Sequence, residues 1–266
     1  MPYDISRAKK GRGFGIVLLI LSGALVAYIT YPIANIITIV EPRTFIESIT
    51  RPQVGDALLL SLSTATISTL LLALLGIPLA YWIARYNFPG KSIIKVIIII
   101  PLVIPPLASG TLLLGIFGSN SPIGRFLPVE FTQSAIGVIT AQMYVSSPFI
   151  ILLALAAFES VDESYEKVAR VLGKSRLETF LRVSLPLAKT GIIAGFIMTW
   201  VRSVGELGAT MMMAYNPHTI SIQIFEDNAI GGFQNTVPTV LLVILLSAVV
   251  IGIFSIVKKG GLKIGW

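Results

Sequence analysis

Six apolar runs, each long enough to cross a bilayer as a helix, leave this chain little choice of fold. They lie at about Phe14–Val40, Ala57–Ala84, Ile93–Phe117, Ser134–Phe158, Thr190–Met213 and Val237–Val257, and each reaches the roughly 20 residues that span a hydrocarbon core. Backbone groups in lipid have no water to bond, so each run must satisfy them internally, and none shows the short alternation of a transmembrane barrel strand. The sequence predicts an all-α, polytopic membrane bundle of six transmembrane helices, one domain over 1–266. Composition points the same way: 55% of residues are hydrophobic, 12% are charged and the mean hydropathy is +0.86, well outside the range of soluble domains.

Charge placement orients the bundle. Basic residues cluster at the start (Arg7, Lys9, Lys10, Arg12), after the second run (Arg85, Lys91, Lys95), between the fourth and fifth (Lys167, Arg170, Lys174, Arg176, Arg182, Lys189) and at the end (Lys258, Lys259, Lys263). Only Arg43, Arg51 and Arg125 fall in the alternate connections. The positive-inside rule puts both termini in the cytoplasm. The net charge of +7 thus follows membrane topology rather than a single basic face, which argues against a nucleic-acid partner. The first run, about 27 residues, exceeds the apolar region of a signal peptide and reads as a retained span. With no cysteine, disulfides, thiolate metal sites and cysteine nucleophiles are excluded.

No soluble domain is expected beside the bundle, so any enzymatic energy conversion belongs to another polypeptide. The third span carries Pro101, Pro105 and Pro106 and is predicted to bend or break, since proline removes backbone donors. Ser61, Ser63, Ser68 and Gly76 in the second span suit close helix packing. The external connections, near Glu41–Asp56, Gly118–Gln133 and Ala214–Thr236, are read as loops. Asp227 and Glu226 there are candidates for contact with another protein or for simple solvation, and His218 reads as an ordinary loop residue.

The connector at about 159–189 holds five acidic and six basic side chains in an otherwise apolar chain. Two capping-box spacings, Ser160 to Glu163 and Ser175 to Glu178, predict two short helices. Tyr165, Val168 and Leu172 share a face of the first, which Gly173 stops. Leu177, Phe180 and Leu181 form the apolar face of the second, which Pro186 ends. A helix-turn-helix of this kind lies on the membrane or in a partner's groove. Gly173-Lys174-Ser175 and Gly90-Lys91-Ser92 mimic the end of a phosphate-binding loop, but the glycine required five residues earlier is Val168 or Arg85. No nucleotide site is expected.

Lys167-Val168-Ala169, then Gly173, then Val183-Ser184-Leu185-Pro186 resembles the cytoplasmic signature of binding-protein-dependent ABC importer permeases. That signature is Glu-Ala-Ala, three residues, Gly, nine residues, Ile-x-Leu-Pro, and the intervals are intact here. The departures are Lys167 at the acidic position, with Glu166 one residue earlier, and Val168 for alanine. The resemblance implies a cytoplasmic coupling helix-turn-helix in which Glu166, Lys167, Val168, Ala169, Arg170, Gly173, Leu185 and Pro186 dock an ATPase. It also implies a separate ABC ATPase dimer carrying ATP and Mg, a second copy of this chain, and an external binding protein. Catalytic, cofactor and metal residues are expected to be none on this chain.

One basic residue, Arg202, falls inside a span, with Glu206 one helical turn later. Either charge alone in the membrane costs on the order of 2.5–3.5 kcal/mol even on insertion scales, so the two are expected to pair, beside the pathway or as a structural link between helices. The run from Val201 to Thr210, with Arg202, Gly205, Glu206, Gly208 and Thr210 as candidate pathway or gate residues, looks like the oxyanion branch of the same permeases, which serves molybdate, tungstate and sulfate. Pro101-Leu-Val-Ile-Pro-Pro106, Gly115-Ile-Phe-Gly118, Ser121-Pro122 and Gly124 are similar to it as well. Thr210, where sulfate members are expected to carry valine, tilts the expectation to molybdate or tungstate, with sulfate or thiosulfate second. An ion-coupled secondary transporter, with Arg202 and Glu206 binding substrate or ion, is the competing class. Such transporters often carry inverted repeats, and the proline-rich third span has no counterpart in the second half.

Overall fold

The computed structural model describes residues 5–121, 123–126 and 128–259. The expected positions of Pro122 and Lys263 lie outside them. The helices in chain order are α1 (Ile5–Ile39), α2 (Pro42–Ile49), α3 (Pro52–Arg85), α4 (Lys91–Val103), α5 (Pro106–Phe117) and α6 (Ala135–Glu159). They continue with α7 (Glu163–Val171), α8 (Arg176–Thr179), α9 (Leu185–Leu187), α10 (Lys189–Val204), α11 (Gly208–Met213) and α12 (Ile220–Lys259). No strand occurs among the described residues.

Four stretches are long and apolar enough to cross a membrane unbroken: Gly13–Ile39, Pro52–Arg85, Ala135–Glu159 and Ile220–Val250. The expected six arise only if each of two bent pairs counts as one span: α4 with α5, bent by 113°, and Arg176–Leu187 with α10, bent by 76°. The third span breaks where its prolines require. Ile104 and Pro105 are extended, and α5 restarts with Pro106 at its first position, where a missing N–H costs nothing. The fifth expected span is not one helix. Glycine at 205 ends α10, Glu206 and Leu207 form a non-helical link, and α11 adds less than two turns. The last expected loop is also partly helical: residues 220–231 form a helix that is interrupted at Gly232, whose φ of 63° and ψ of −156° are open only to glycine.

The centre is α3, α6 and α10 packed lengthwise. Leu72, Ile83, Ile150, Phe158 and Ile192 fill their common core, and Phe180 packs its ring on Tyr81 at 4.7 Å. Ser68 and Gly76 of α3 are buried in that packing, Ser61 is buried where its hydroxyl accepts the Ile220 amide of α12, and Ser63 is exposed. α1 stands apart: it touches α12 slightly, and its apolar window is unburied throughout.

All elements flanking the charged connector meet at one end of the bundle. Lys95 at the head of α4 lies 3.0 Å from Glu159 at the tail of α6, and Arg85 at the tail of α3 reaches α7. Arg51, at the head of α3, reaches residues 220–231 at the other end. The basic clusters at 85–95 and 167–189 therefore share one end.

Candidate functional site

The connector is built by its caps. Asp162, not Ser160, caps α7: its carboxylate accepts the Ser164 amide at 2.7 Å, while Ser160 closes α6 and turns its hydroxyl to the Ala157 carbonyl. The expected first capping box fails because α6 runs on to Glu159 and uses Ser160 as its C-cap. The second is complete, with Ser175 and Glu178 each accepting the other's backbone amide. The Ser164 amide holds the Asp162 carboxyl below its ordinary value, and the Ser175 amide with Lys174 does the same for Glu178.

Gly173, at φ 85°, ends α7 with a Schellman motif. Its N–H donates to the Arg170 carbonyl, and the Lys174 N–H donates to that of Ala169. The second helix does not stop at Pro186 but at Ala188. The helix widens through Phe180–Ser184 into π-type turns, Leu185 donating to the Phe180 carbonyl five residues back. That widening precedes the proline, where an ordinary α-turn would place a ring against a carbonyl. Of the expected apolar face, only Phe180 turns inward; Leu177 and Leu181 are exposed.

Glu166 is the hub. Arg85 donates to one carboxylate oxygen at 2.7 Å and the Ser184 hydroxyl donates to the same oxygen at 2.8 Å. The Tyr81 hydroxyl donates to the other at 2.9 Å. A second Arg85 nitrogen reaches the Val161 carbonyl at 2.9 Å. One nearly buried carboxylate thus binds α7 to the end of α3 and to the segment leading into α10. The same segment leaves Tyr165 and Val168 each 57% exposed and Leu172 76% exposed, a ridge left largely uncovered by the described residues. Lys167 is exposed and only loosely paired with Glu163 at 3.5 Å, whereas Ala169 is buried. Leu185 packs against the central core and Pro186 is exposed.

The second candidate group sits at the break after α10. Arg202 Nη1 lies 2.5 Å from Glu206 Oε2, a charge contact without hydrogen-bond alignment. The other Glu206 oxygen accepts the Ala209 amide at 2.8 Å, capping α11. Glu206 is 1% exposed and Arg202 29%, so the pair leans from the protein interior toward the surface of the single chain. Here α11 crosses α5 closely: a Cβ at Gly110 would lie 2.7 Å from the Ala209 carbonyl, and one at Gly208 would lie 2.8 Å from Pro106. Thr210 is fully buried with an unpartnered hydroxyl, as is Ser109 on α5, and Gly205 is exposed.

A third cluster was not anticipated from sequence. Arg51 grips both Asp227 oxygens at 3.1 and 3.2 Å, and Thr239 and Gln223 donate to them at 2.6 and 2.9 Å. Asp227 is 2% exposed, so it is an internal anchor and not the partner contact or solvated residue the sequence offered. Partners 176 positions apart leave no local signal. Arg85 likewise registered only as one more cytoplasmic charge.

Comparison with known proteins places this architecture. A probable molybdenum ABC transporter permease protein of Haloferax volcanii is 40% identical over 85% of this chain and 84% of its own length. The molybdate/tungstate transport system permease protein WtpB of Thermococcus kodakarensis is 38% identical over 88% and 90%. The fold matches that of a bacterial alginate ABC transporter, solved with an alginate-bound periplasmic protein, with a TM-score of 0.74, 18% identity and coverage of 95% and 96%. Residues 76–260 match the family of binding-protein-dependent transport system inner membrane components. With its apolar helices and its connector in place, the chain is a multi-pass membrane protein and belongs to that family.

Proposed function

We propose that this chain is the permease subunit of an ATP-driven importer of molybdate- or tungstate-type oxyanions. In this reading two copies form the pathway, an external binding protein delivers the anion, and both termini face the cytoplasm. Two ATPase subunits, carrying ATP and Mg, dock on the connectors. The names of the relatives support the substrate class. The observation that carries the mechanism is Glu166, which fastens an otherwise exposed helix to two separate parts of the bundle.

A partner that moves α7 moves α3 through Arg85 and Tyr81, and α10 through Ser184. Rigid transmission of this kind converts nucleotide-driven closure of the ATPase into a change of access in the membrane. Arg202 and Glu206 sit at the far end of α10, where a shift of that helix is felt at the α5–α11 crossing. There the cation supplies attraction for an anion, and its partner carboxylate keeps the site from holding it too tightly.

Proteoliposomes holding this chain, its ATPase and its binding protein test the reading by uptake of radiolabelled tungstate, molybdate and sulfate. ATP-dependent uptake of the first two is expected. Preference for sulfate moves the chain to the sulfate/thiosulfate reading. Uptake that ignores ATP and follows an ion gradient replaces the importer with a secondary transporter. Arg202→Met is expected to impair uptake with assembly intact; loss of assembly makes the pair a structural link instead.

A further inference from the structure

The two long faces of α7 differ in chemistry. Tyr165, Val168 and Leu172 make the exposed apolar ridge, and Glu163, Glu166, Lys167 and Arg170 recur at three- and four-residue spacing on the opposite face. That second face, with Arg85 of α3 and Arg176 of α8, lines a cleft of about 140 Å³, more room than a single water needs.

Counted whole, the cleft holds four basic side chains against two carboxylates. Neither carboxylate offsets the arginines of α7 and α8. Both Glu166 oxygens already accept bonds from Arg85, Ser184 and Tyr81, and Glu163 lies 3.5 Å from Lys167. Arg170 stands one turn from Glu166, yet neither it nor Arg176 enters an ion pair or donates a side-chain hydrogen bond among the described residues. Three clefts elsewhere each hold one carboxylate, Glu130, Glu41 or Asp56, and no lysine or arginine. The surplus of positive charge is therefore not a general property of the chain's clefts.

We infer that Arg170 and Arg176 hold a tetrahedral oxyanion in this cleft, as a free ion or as the phosphate of a lipid headgroup. An oxyanion offers only acceptors and guanidinium groups present paired planar donors, so one ion bridging the two arginines satisfies both across the Gly173 turn. Arg85 closes α3, a helix longer than a hydrocarbon core requires, which sets the cleft within reach of headgroups as well as of solvent. The apolar ridge faces the other way, so the site stands on this chain alone and needs no contact with an ATPase.

The test uses the full-length chain without its ATPase, in phosphatidylcholine nanodiscs, with radiolabelled phosphate and tungstate in equilibrium dialysis. Arg202→Met serves as the background, so that an ion held at the break after α10 is not counted. Binding should be saturable and should weaken as salt rises. Arg170→Gln with Arg176→Gln should weaken it about tenfold or more. Glu163→Gln should tighten it, since it removes the carboxylate that competes most loosely for the cleft. All three side chains are exposed, so the variants should melt with the parent. The lipid source is read in discs containing phosphatidylglycerol, by native mass spectrometry: anionic lipid that the parent retains and the arginine variant loses assigns the site to a headgroup. Free-ion binding or lipid retention that the arginine changes leave as it was overturns the inference, as does the absence of both. If wild type binds the ion and the Arg202→Met background neither binds it nor retains lipid, the pathway reading stands and this one falls.

Discussion

The two ends of α3 each carry an arginine that grips a buried carboxylate, and they differ in what the carboxylate serves. At about 1.5 Å per residue the 34 residues of α3 span on the order of 50 Å, well beyond a hydrocarbon core of about 30 Å, so both arginines reach the membrane boundary. At the end away from the connector, Arg51 is one-third exposed and Asp227 is held additionally by Gln223 of its own helix and by Thr239 of the helix beyond Gly232. At the connector end, Arg85 and Glu166 are both nearly buried, and the extra donors come from α3 and from the segment before α10. The Arg51 cluster therefore ties the two helices on either side of Gly232 to α3, all of them packed parts of the bundle. The Glu166 cluster ties the largely exposed α7 to α3 and to the segment before α10, which is what a force-transmitting joint needs and an anchor within the bundle does not.

The largest expected effect breaks the joint at Glu166. Glu166→Ala leaves Arg85 buried and unpaired, a loss on the order of 3–5 kcal/mol, visible as a lowered melting temperature. In the assembled importer, ATP hydrolysis should persist while uptake collapses. If uptake and hydrolysis fall together, the joint is structural only. Asp227→Ala should cost less, on the order of 2 kcal/mol, because the partly exposed Arg51 can turn to water. It should leave the ratio of transport to hydrolysis unchanged; uncoupling there would erase the contrast between the two ends.

Gly173→Val probes the connector without touching the joint. No atom lies within 4 Å of the added Cβ, so the cost is backbone strain alone, about 1–2 kcal/mol for a left-handed residue. The turn between α7 and α8 should reorient and coupling should drop, as read by uptake per ATP hydrolysed; an unchanged ratio removes the turn from the transmission path. The smallest effect is acidification. Asp162 and Glu178 have lowered carboxyl pKa values in the fold. Their contribution is complete above the unfolded carboxylate range, about 4, and fades as pH falls through the lowered folded values. A spin label at Leu172, placed as the sole cysteine of a chain that has none, should gain mobility in that window while a label within α3 stays fixed.

The spans that sequence reveals most plainly, α3 and α6, are those whose apolar signal is continuous. Where chain and lipid compete with a local demand, hydropathy averages over the answer. The window at Thr190–Met213 is apolar throughout its flanks and hides the break at Gly205–Leu207. Glu226, Asp227 and Asn228 look like solvated loop, yet they lie on a helix because Arg51 and Thr239 satisfy Asp227 from afar. The spacing of the connector located Gly173 and the Ser175 box correctly, since both are local devices. It could not separate Glu166 from Lys167, because which of two neighbouring helical positions faces inward depends on Tyr81 and Arg85 being there to meet it.

α1 bears on how the protein is made. Over its most apolar 18 residues the mean hydropathy is 2.2, and none of those residues is buried against the rest of the chain, so no later segment has to arrive before it is stable in lipid. It can leave the translocation channel on its own hydrophobicity. The bent pairs cannot, because each exposes unbonded backbone at its break until neighbouring helices cover it. Biogenesis thus has an early step that depends on sequence alone and a late one that waits for α3, α6 and α11 to be in place.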